Sequence, residues 1–483
     1  MELPEMHTRF PRSLIVLSLA LAAMVSASSA AADQKAAEAA WNRGETAKAA
    51  ELYEQVLSTD PDNREALLRT AQVLSSKHKY TEALARYERV LVKNPDDVDA
   101  RLGKGGALVS LGVNYEARPL LERLSREYPK RMEPRLNLAW MDLFSSPPDA
   151  MPNVRALEAQ FPADEGVKAL GKVSRMLSAP TVSLSQGRST DNGDNETAVT
   201  QVEAQVTGAE TQFKFSAGRA KITSPGVGAE ANISAFEAGI SRDLRGGHRL
   251  TLKGGVESQE GRKETNTYPV FGANWQFGGQ ARLSGKVGIE REPIRYAVDF
   301  VDSQIRVDKF TTSLSYKASR MVTISADGLI GRVSSLAGDA DRYGGSVSLQ
   351  RKLLLGGRVP IDAGYQFSYT DHSRNLQNGY WMPSNQKSHS LFARSFVYFP
   401  SGFAYFASIQ VGRSDFNVDF KPTPITVKGD VSVSAVVALT VPLMKLPFSL
   451  ELLGVRSAGS LEQTNGFTAT TLGARLVWKG GSR

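Results

Sequence analysis

Asp362-Ala363-Gly364-Tyr365-Gln366-Phe367-Ser368-Tyr369 sets an apolar or aromatic residue at every second position and a polar or small one between. A period of two belongs to a strand with one oily face and one wet face. The pattern recurs in Gln212-Phe213-Lys214-Phe215-Ser216-Ala217, Arg249-Leu250-Thr251-Leu252-Lys253, Ser346-Val347-Ser348-Leu349-Gln350 and Leu472-Gly473-Ala474-Arg475-Leu476-Val477-Trp478. Working outward, strands are expected to begin near 181, 196, 211, 229, 247, 267, 281, 309, 321, 342, 359, 388, 402, 429, 446 and 467. Each strand with its turn takes roughly 19 residues, which suits the ~10-residue strands of membrane barrels with mostly short connections. Charge sits repeatedly on the wet face. A soluble sandwich would expose that face and bury the other, and would seldom gather so many strands in one domain. A transmembrane barrel turns the oily face to lipid and the charged face to a watery lumen, and closure removes every unpaired sheet edge.

The rest of the chain is written differently. Prolines recur every 34 residues at Pro61, Pro95 and Pro129, and other positions keep the same step: Ala49, Ala83 and Ala117; Tyr53, Tyr87 and Leu121; Val56, Val90 and Leu124. A small Ala lets two helices approach, the larger residue four positions on fills the gap on the same face, and proline ends the second helix. A degenerate fourth unit follows, with Ala139, Leu157 and Phe161-Pro162, as expected of a capping repeat. This resembles the tetratricopeptide pattern of an α-solenoid. The residues in register are expected to be packing residues.

Before the repeats, Arg9 and Arg12 precede the apolar run Leu14 to Met24 and the small residues Ala30-Ala31-Ala32. That order reads as a secretory signal peptide over 1–32. Residues 33–172 then form the repeat domain, 173–180 a linker and 181–483 the barrel, an α+β multidomain chain. After the signal no apolar run reaches the ~18 to 20 residues of a membrane helix. With no cysteine there is no disulfide, no lipidated Cys and no thiolate metal site. The net charge of +8 arises after residue 180, where basic side chains are scattered singly and not gathered in the stripes of a nucleic-acid binder.

A signal, a short tetratricopeptide array and a barrel of about sixteen strands together resemble the outer-membrane exopolysaccharide export porins of the cellulose and poly-N-acetylglucosamine type. Within the barrel, Gly379-Tyr380-Trp381-Met382-Pro383 is similar to the Gly-Tyr-aromatic-x-Pro segment of the cellulose-type members. The resemblance implies an outer-membrane location and periplasmic repeats that dock inner-membrane or periplasmic synthase components or nascent polymer. It also implies a pore for a cellulose-like or other neutral or anionic glycan, with Tyr380, Trp381 and Pro383 as a loop motif. Two departures stand out. The arm has only three or four repeats, and Lys479-Gly480-Gly481-Ser482-Arg483 follows Trp478, where such barrels commonly end on the aromatic residue.

Alternation assigns to the lumen wall Lys214, Arg249, Lys253, Arg282, Lys286, Lys317, Arg342 and Arg475, against Glu203, Glu237, Glu257, Glu290, Asp327, Asp362 and Glu451. Near balance disfavours a strongly cationic polymer and permits a neutral or anionic one. The stretches 296–308, 371–387 and 416–428 are candidate extracellular loops or constrictions, and Tyr365, Phe367, Tyr369, Tyr398, Phe399, Tyr405 and Phe406 are candidates for an aromatic girdle. No enzyme, cofactor or metal is expected: Gly103-Lys104-Gly105-Gly106 lacks phosphate-loop spacing, and only His372 and His389, which flank the Tyr380 loop, are candidates for a base. The rival readings are an envelope scaffold with a closed barrel, a general porin and, last, a hydrolase.

Overall fold

In the computed structural model the described residues are 34–480, apart from 146, 209, 245, 296, 356–358, 378–379, 381, 400, 419–424, 444–445 and 462–463. The segment 1–32, expected to be a signal peptide, lies outside them. The chain divides into two compact units, 1–137 and 138–483.

The first unit is made of antiparallel helices: α1 (34–42), α2 (Thr46–Thr59), α3 (Arg64–Ser76), α4 (Tyr80–Lys93), α5 (Val98–Ser110), α6 (Asn114–Glu127) and the start of α7 (Glu133–Ser145). Ala49, Ala83 and Ala117 have no exposed surface, and Tyr53, Tyr87, Leu121, Val56, Val90 and Leu124 are buried beside them. The 34-residue register is therefore the core of the unit. Asn63 and Asp97, each two residues after a repeat proline, accept hydrogen bonds from the amides of Ala66 and Ala100 at 3.1 and 3.0 Å and so start α3 and α5. Neighbouring repeats are further joined by Arg64, whose guanidinium binds the Asp97 carboxylate and, at 3.0 Å, that of Asp99.

The second unit holds α8 (Pro147–Gln160), α9 (Glu165–Ser178) and the barrel. Residues 173–178, read from sequence as part of a linker, are helical, because Val167, Leu170 and Ser174 on one face of α9 are buried and carry the helix on. Ala179 and Pro180 alone separate it from β1 (Thr181–Asp191).

The strands that follow are β2 (Glu196–Thr207), β3 (Thr211–Ser224), β4 (Ala229–Leu244), β5 (His248–Glu260), β6 (Thr265–Phe277), β7 (Leu283–Pro293), β8 (Arg306–Lys317) and β9 (Val322–Ser335). Next come β10 (Gly338–Leu355), β11 (Val359–His372), β12 (Ser384–Tyr398), β13 (Ala404–Val418), β14 (Ile425–Leu443), β15 (Phe448–Leu461) and β16 (Thr464–Lys479). All pair antiparallel with their sequence neighbours, and β1 pairs with β16 to close the barrel. Val182, Leu184, Phe213, Phe215, Leu250, Leu252, Val347, Leu349, Leu472 and Leu476 stand exposed on one face of their strands. On a closed wall that face is the outside, and it forms the apolar belt a bilayer requires.

The connections at the end bearing the barrel's termini are tight. Gly246, Gly247 and Gly278 take positive φ values of 76°, 74° and 79°, which only glycine adopts without strain. The longer connections lie at the other end. The β7–β8 connection carries a short helix, α10 (Val298–Asp302).

Candidate functional site: the barrel lumen

Parity along each strand decides which side chains line the lumen. With Phe213 and Phe215 outside, Lys214 points in; the same argument places Glu237, Arg249, Lys253, Glu257, Lys286, Glu290, Lys317, Asp327, Arg342, Asp362, Glu451 and Arg475 on the inner face. Arg282 departs from this set. It lies in the β6–β7 turn, donates to the carbonyls of Lys317 and Ala318 at 3.0 Å each, and sits 5.1 Å above the outward ring of Tyr316. It closes a strand end and does not line the pore.

The inner charges form ladders. Glu203 accepts from Lys214 at 2.7 Å and from Arg475 at 2.8 Å, and Arg475 also reaches Glu451 at 3.5 Å, so one chain of charge crosses the β1–β16 seam. Ser183, on the strand between, accepts from Arg475 Nε at 2.9 Å. A second ladder joins Lys253 to Glu290 and to Glu237 at 3.9 Å, then Lys309 to Glu290 at 3.2 Å and to Glu292 at 2.7 Å. Lys253 must cross β6 to reach Glu290. Gly272 permits this, since a Cβ there would stand 2.7 Å from the Lys253 Cε. Arg249 binds Asp243 through two nitrogens, at 2.5 and 2.8 Å. Lys286, Asp327 and Arg342 share a recess of about 360 Å³ with Thr311, Ser313 and Ser346.

At the end away from the termini, two loops fold into the barrel. Val298 and Val301 of α10 pack on the inward Ile222, Ala231 and Ile233. Ile294 and Ile305, at the two ends of that connection, join Leu376 and Met382 of the β11–β12 loop against Val307, Val333 and Ala340, and Phe300 meets Tyr380 edge to face at 5.9 Å. The fastening is ionic: Arg295 binds Glu257 at 2.8 Å, and Glu257, 2% exposed, also accepts from Gln259 at 2.8 Å. Arg262, in the β5–β6 connection, grips Asp299 and Asp302 at 2.6 and 2.5 Å.

Of the loop motif, Tyr380 and Met382 belong to this plug and the Pro383 carbonyl accepts a hydrogen bond from His372 Nδ1 at 2.8 Å, while Gly379 and Trp381 lie outside the described residues. Of the stretch 416–428, residues 419–424 lie outside them too. His372 is buried on the inner side, whereas His389 is outward-facing and bonded to Tyr365 at 2.5 Å, so the two form no common centre.

Sequence reading missed Lys309, Glu292, Asp243 and Arg295 as charge partners. The first two were legible from the outward parity of Phe310, Leu314 and Ile289; Arg295 was not, because it lies in a connection. It also misplaced Phe406 and Tyr398, which share the inward parity of Phe396, Phe406 standing opposite Phe396 and Tyr398 opposite Ala404, while Tyr365, Phe367, Tyr369 and Tyr405 have the outward parity of a girdle.

Closed wall, oily exterior and charged interior define a transmembrane β-barrel of the outer-membrane kind, preceded by tetratricopeptide repeats. Residues 30–73 and 74–139 match family models of the tetratricopeptide repeat. Among solved structures, the chain is similar to a "Bacterial polysaccharide outer membrane secretin" at 8% identity, covering 62% of this chain and 98% of that one with a TM-score of 0.47. OccD3 of Pseudomonas aeruginosa aligns at 9% identity over 62% of this chain and 91% of its own, TM-score 0.34. The helices align with YrrB, "a TPR protein with an unusual peptide-binding site", at 22% identity over 29% of this chain and 74% of that one, TM-score 0.25. No curated protein sequence matches.

Proposed function

We propose that this protein is an outer-membrane conduit that exports an exopolysaccharide, with its repeats in the periplasm, where they dock synthase components or the nascent polymer. The observation that carries the reading is the lumen wall. Many of its charges are bound to one another across strands, in the Glu203–Arg475 and Lys253–Glu290–Lys309 ladders, so a glycan meets a surface of ion pairs interspersed with hydroxyls. Such a wall exchanges hydrogen bonds with sugar hydroxyls without trapping a neutral or anionic chain. A closed barrel of sixteen strands is wide enough for an aqueous channel unless filled. An even strand number puts both barrel ends on one side, taken as the periplasmic one, and the inward loops then form the exit constriction. Transport on this reading needs no chemistry in the barrel: a synthase pushes the polymer, and the wall lowers friction.

One observation favours a second reading. The two apolar clusters beneath the loops are well buried, which suits a closed barrel serving as an envelope anchor. Single-channel recording of the purified protein in a planar bilayer, paired with polymer secretion by a deletion strain, separates the cases. Export predicts conductance and lost secretion. An anchor predicts neither, and conductance with unchanged secretion leaves a general porin.

A further inference from the structure

We propose that Phe392, Phe396 and Phe406 form a stacking platform on the lumen wall for the apolar faces of a pyranose chain, with Arg394 and Gln410 orienting it. The inference rests on the export reading and adds to it the chemistry by which the wall holds its cargo.

Register places the rings. Leu391 lies opposite Tyr365 and Val411, and all three belong to the lipid-facing parity. Phe392, one residue on, therefore faces the lumen, opposite Gly364 and Gln410. Phe396 has the same parity and stands directly opposite Phe406, which stands opposite Ala438, and Leu453 continues the row on β15. Phe396 is 59% exposed and Leu453 42% exposed, so this apolar surface is open on the water side of the wall. Lipid cannot cover it there. A ligand that can must travel in water and carry apolar faces, which a pyranose does: its axial C–H bonds line the ring faces and its hydroxyls the rim.

Polar groups suited to that rim stand beside the rings. The Arg394 guanidinium lies 5.3 Å from the Phe392 ring centre and donates to the Gln350 side chain. Gln410, opposite Phe392, donates from Nε2 to Ser390 at 2.8 Å and keeps its carbonyl oxygen for another partner. Apolar planes with a few fixed polar groups are the usual make-up of a small-ligand site. Eight strands round the closed ring from β13 is β5, which carries Lys253 of the ion-pair ladder, so the aromatic row looks across the channel at the charged wall.

The test uses the full-length protein in detergent micelles and cellohexaose, a β-1,4-linked glucose hexamer, as probe. Saturation-transfer NMR should show contact at the sugar C–H protons with the unaltered protein. The double variant F396A/F406A should bind about tenfold more weakly or worse, as loss of stacking partners implies, while F396Y should bind as the unaltered protein does. If F396A/F406A does not fold, as judged by heat-modifiable electrophoretic mobility, F396L/F406L keeps apolar bulk without rings and should show the same loss. Equal binding by the ring-free variant, or no binding by the unaltered protein, would overturn the platform. Bilayer conductance of the same preparation reports separately on the channel, so the platform can fail while the conduit stands.

Discussion

Gly272 shows how much one missing side chain can carry. The Lys253 stem crosses it to reach Glu290, and the ladder across β5, β7 and β8 depends on that crossing. Each ion pair in a wet lumen contributes only about 0.2–1 kcal/mol. Gly272→Val should therefore lower the midpoint of the heat-modifiable mobility shift slightly, and Gly272→Ala by less, because the lysine tip can move aside. Asp97 gives a pH prediction in the repeats. Burial, the largest influence, pushes its carboxyl up, but the Arg64 guanidinium and the Ala100 amide outweigh it and hold the group below its ordinary value. A depressed carboxylate stabilises the fold fully above its unfolded pKa of about 3.9 and loses that contribution as pH falls through the lower folded value. Thermal unfolding followed by helical circular dichroism should thus show a fall in stability below about pH 4, blunted in Asp97→Asn. Asp97→Ala, which also loses the helix cap, should cost about 1–2 kcal/mol at neutral pH.

Among elements, the strands were legible and the loops were not. Expected starts at 181, 196, 211 and 229 coincide with β1 to β4, and in β1 and β3 the outward Val182, Leu184, Phe213 and Phe215 set the alternation close to the strand's beginning. β10 starts at Gly338 where 342 was expected, and β12 at Ser384 where 388 was expected. In β10 the outward Asp341 pairs with Arg332, so the strand outruns the belt and alternation is lost. Inward aromatics failed for the opposite reason: Phe396-Val397-Tyr398-Phe399 is apolar on both faces and carries no period. Periodicity says nothing of where a connection folds, so the Val298 and Tyr380 loops could be named but not placed. Their role is testable. Excising residues 297–304 should raise single-channel conductance several-fold on the export reading. Arg295→Ala, which leaves the Glu257 carboxylate buried without its cation, should raise the frequency of openings in the same recordings.

For the whole molecule, the two patterns in the sequence sufficed to name both architectures, since a 34-residue step and a two-residue step cannot serve the same fold. They could not reveal that the helices continue to Ser178, within two residues of the wall. Closure is a property of the entire chain: Thr181 pairs with Lys479 and Ser183 with Val477, so the first strand meets the last. A chain ending at residue 463 lacks β16 and leaves β1 and β15 as open edges. It should show no heat-modifiable folded form and should accumulate in degraded or aggregated fractions of the envelope. The Arg475–Glu203 contact over that seam is made only when the C-terminal strand arrives. The seam therefore acts as an inspection of the finished product: a ribosome that stops early or a protease that trims the end yields a sheet that cannot close, and the cell never holds a leaky, half-length pore.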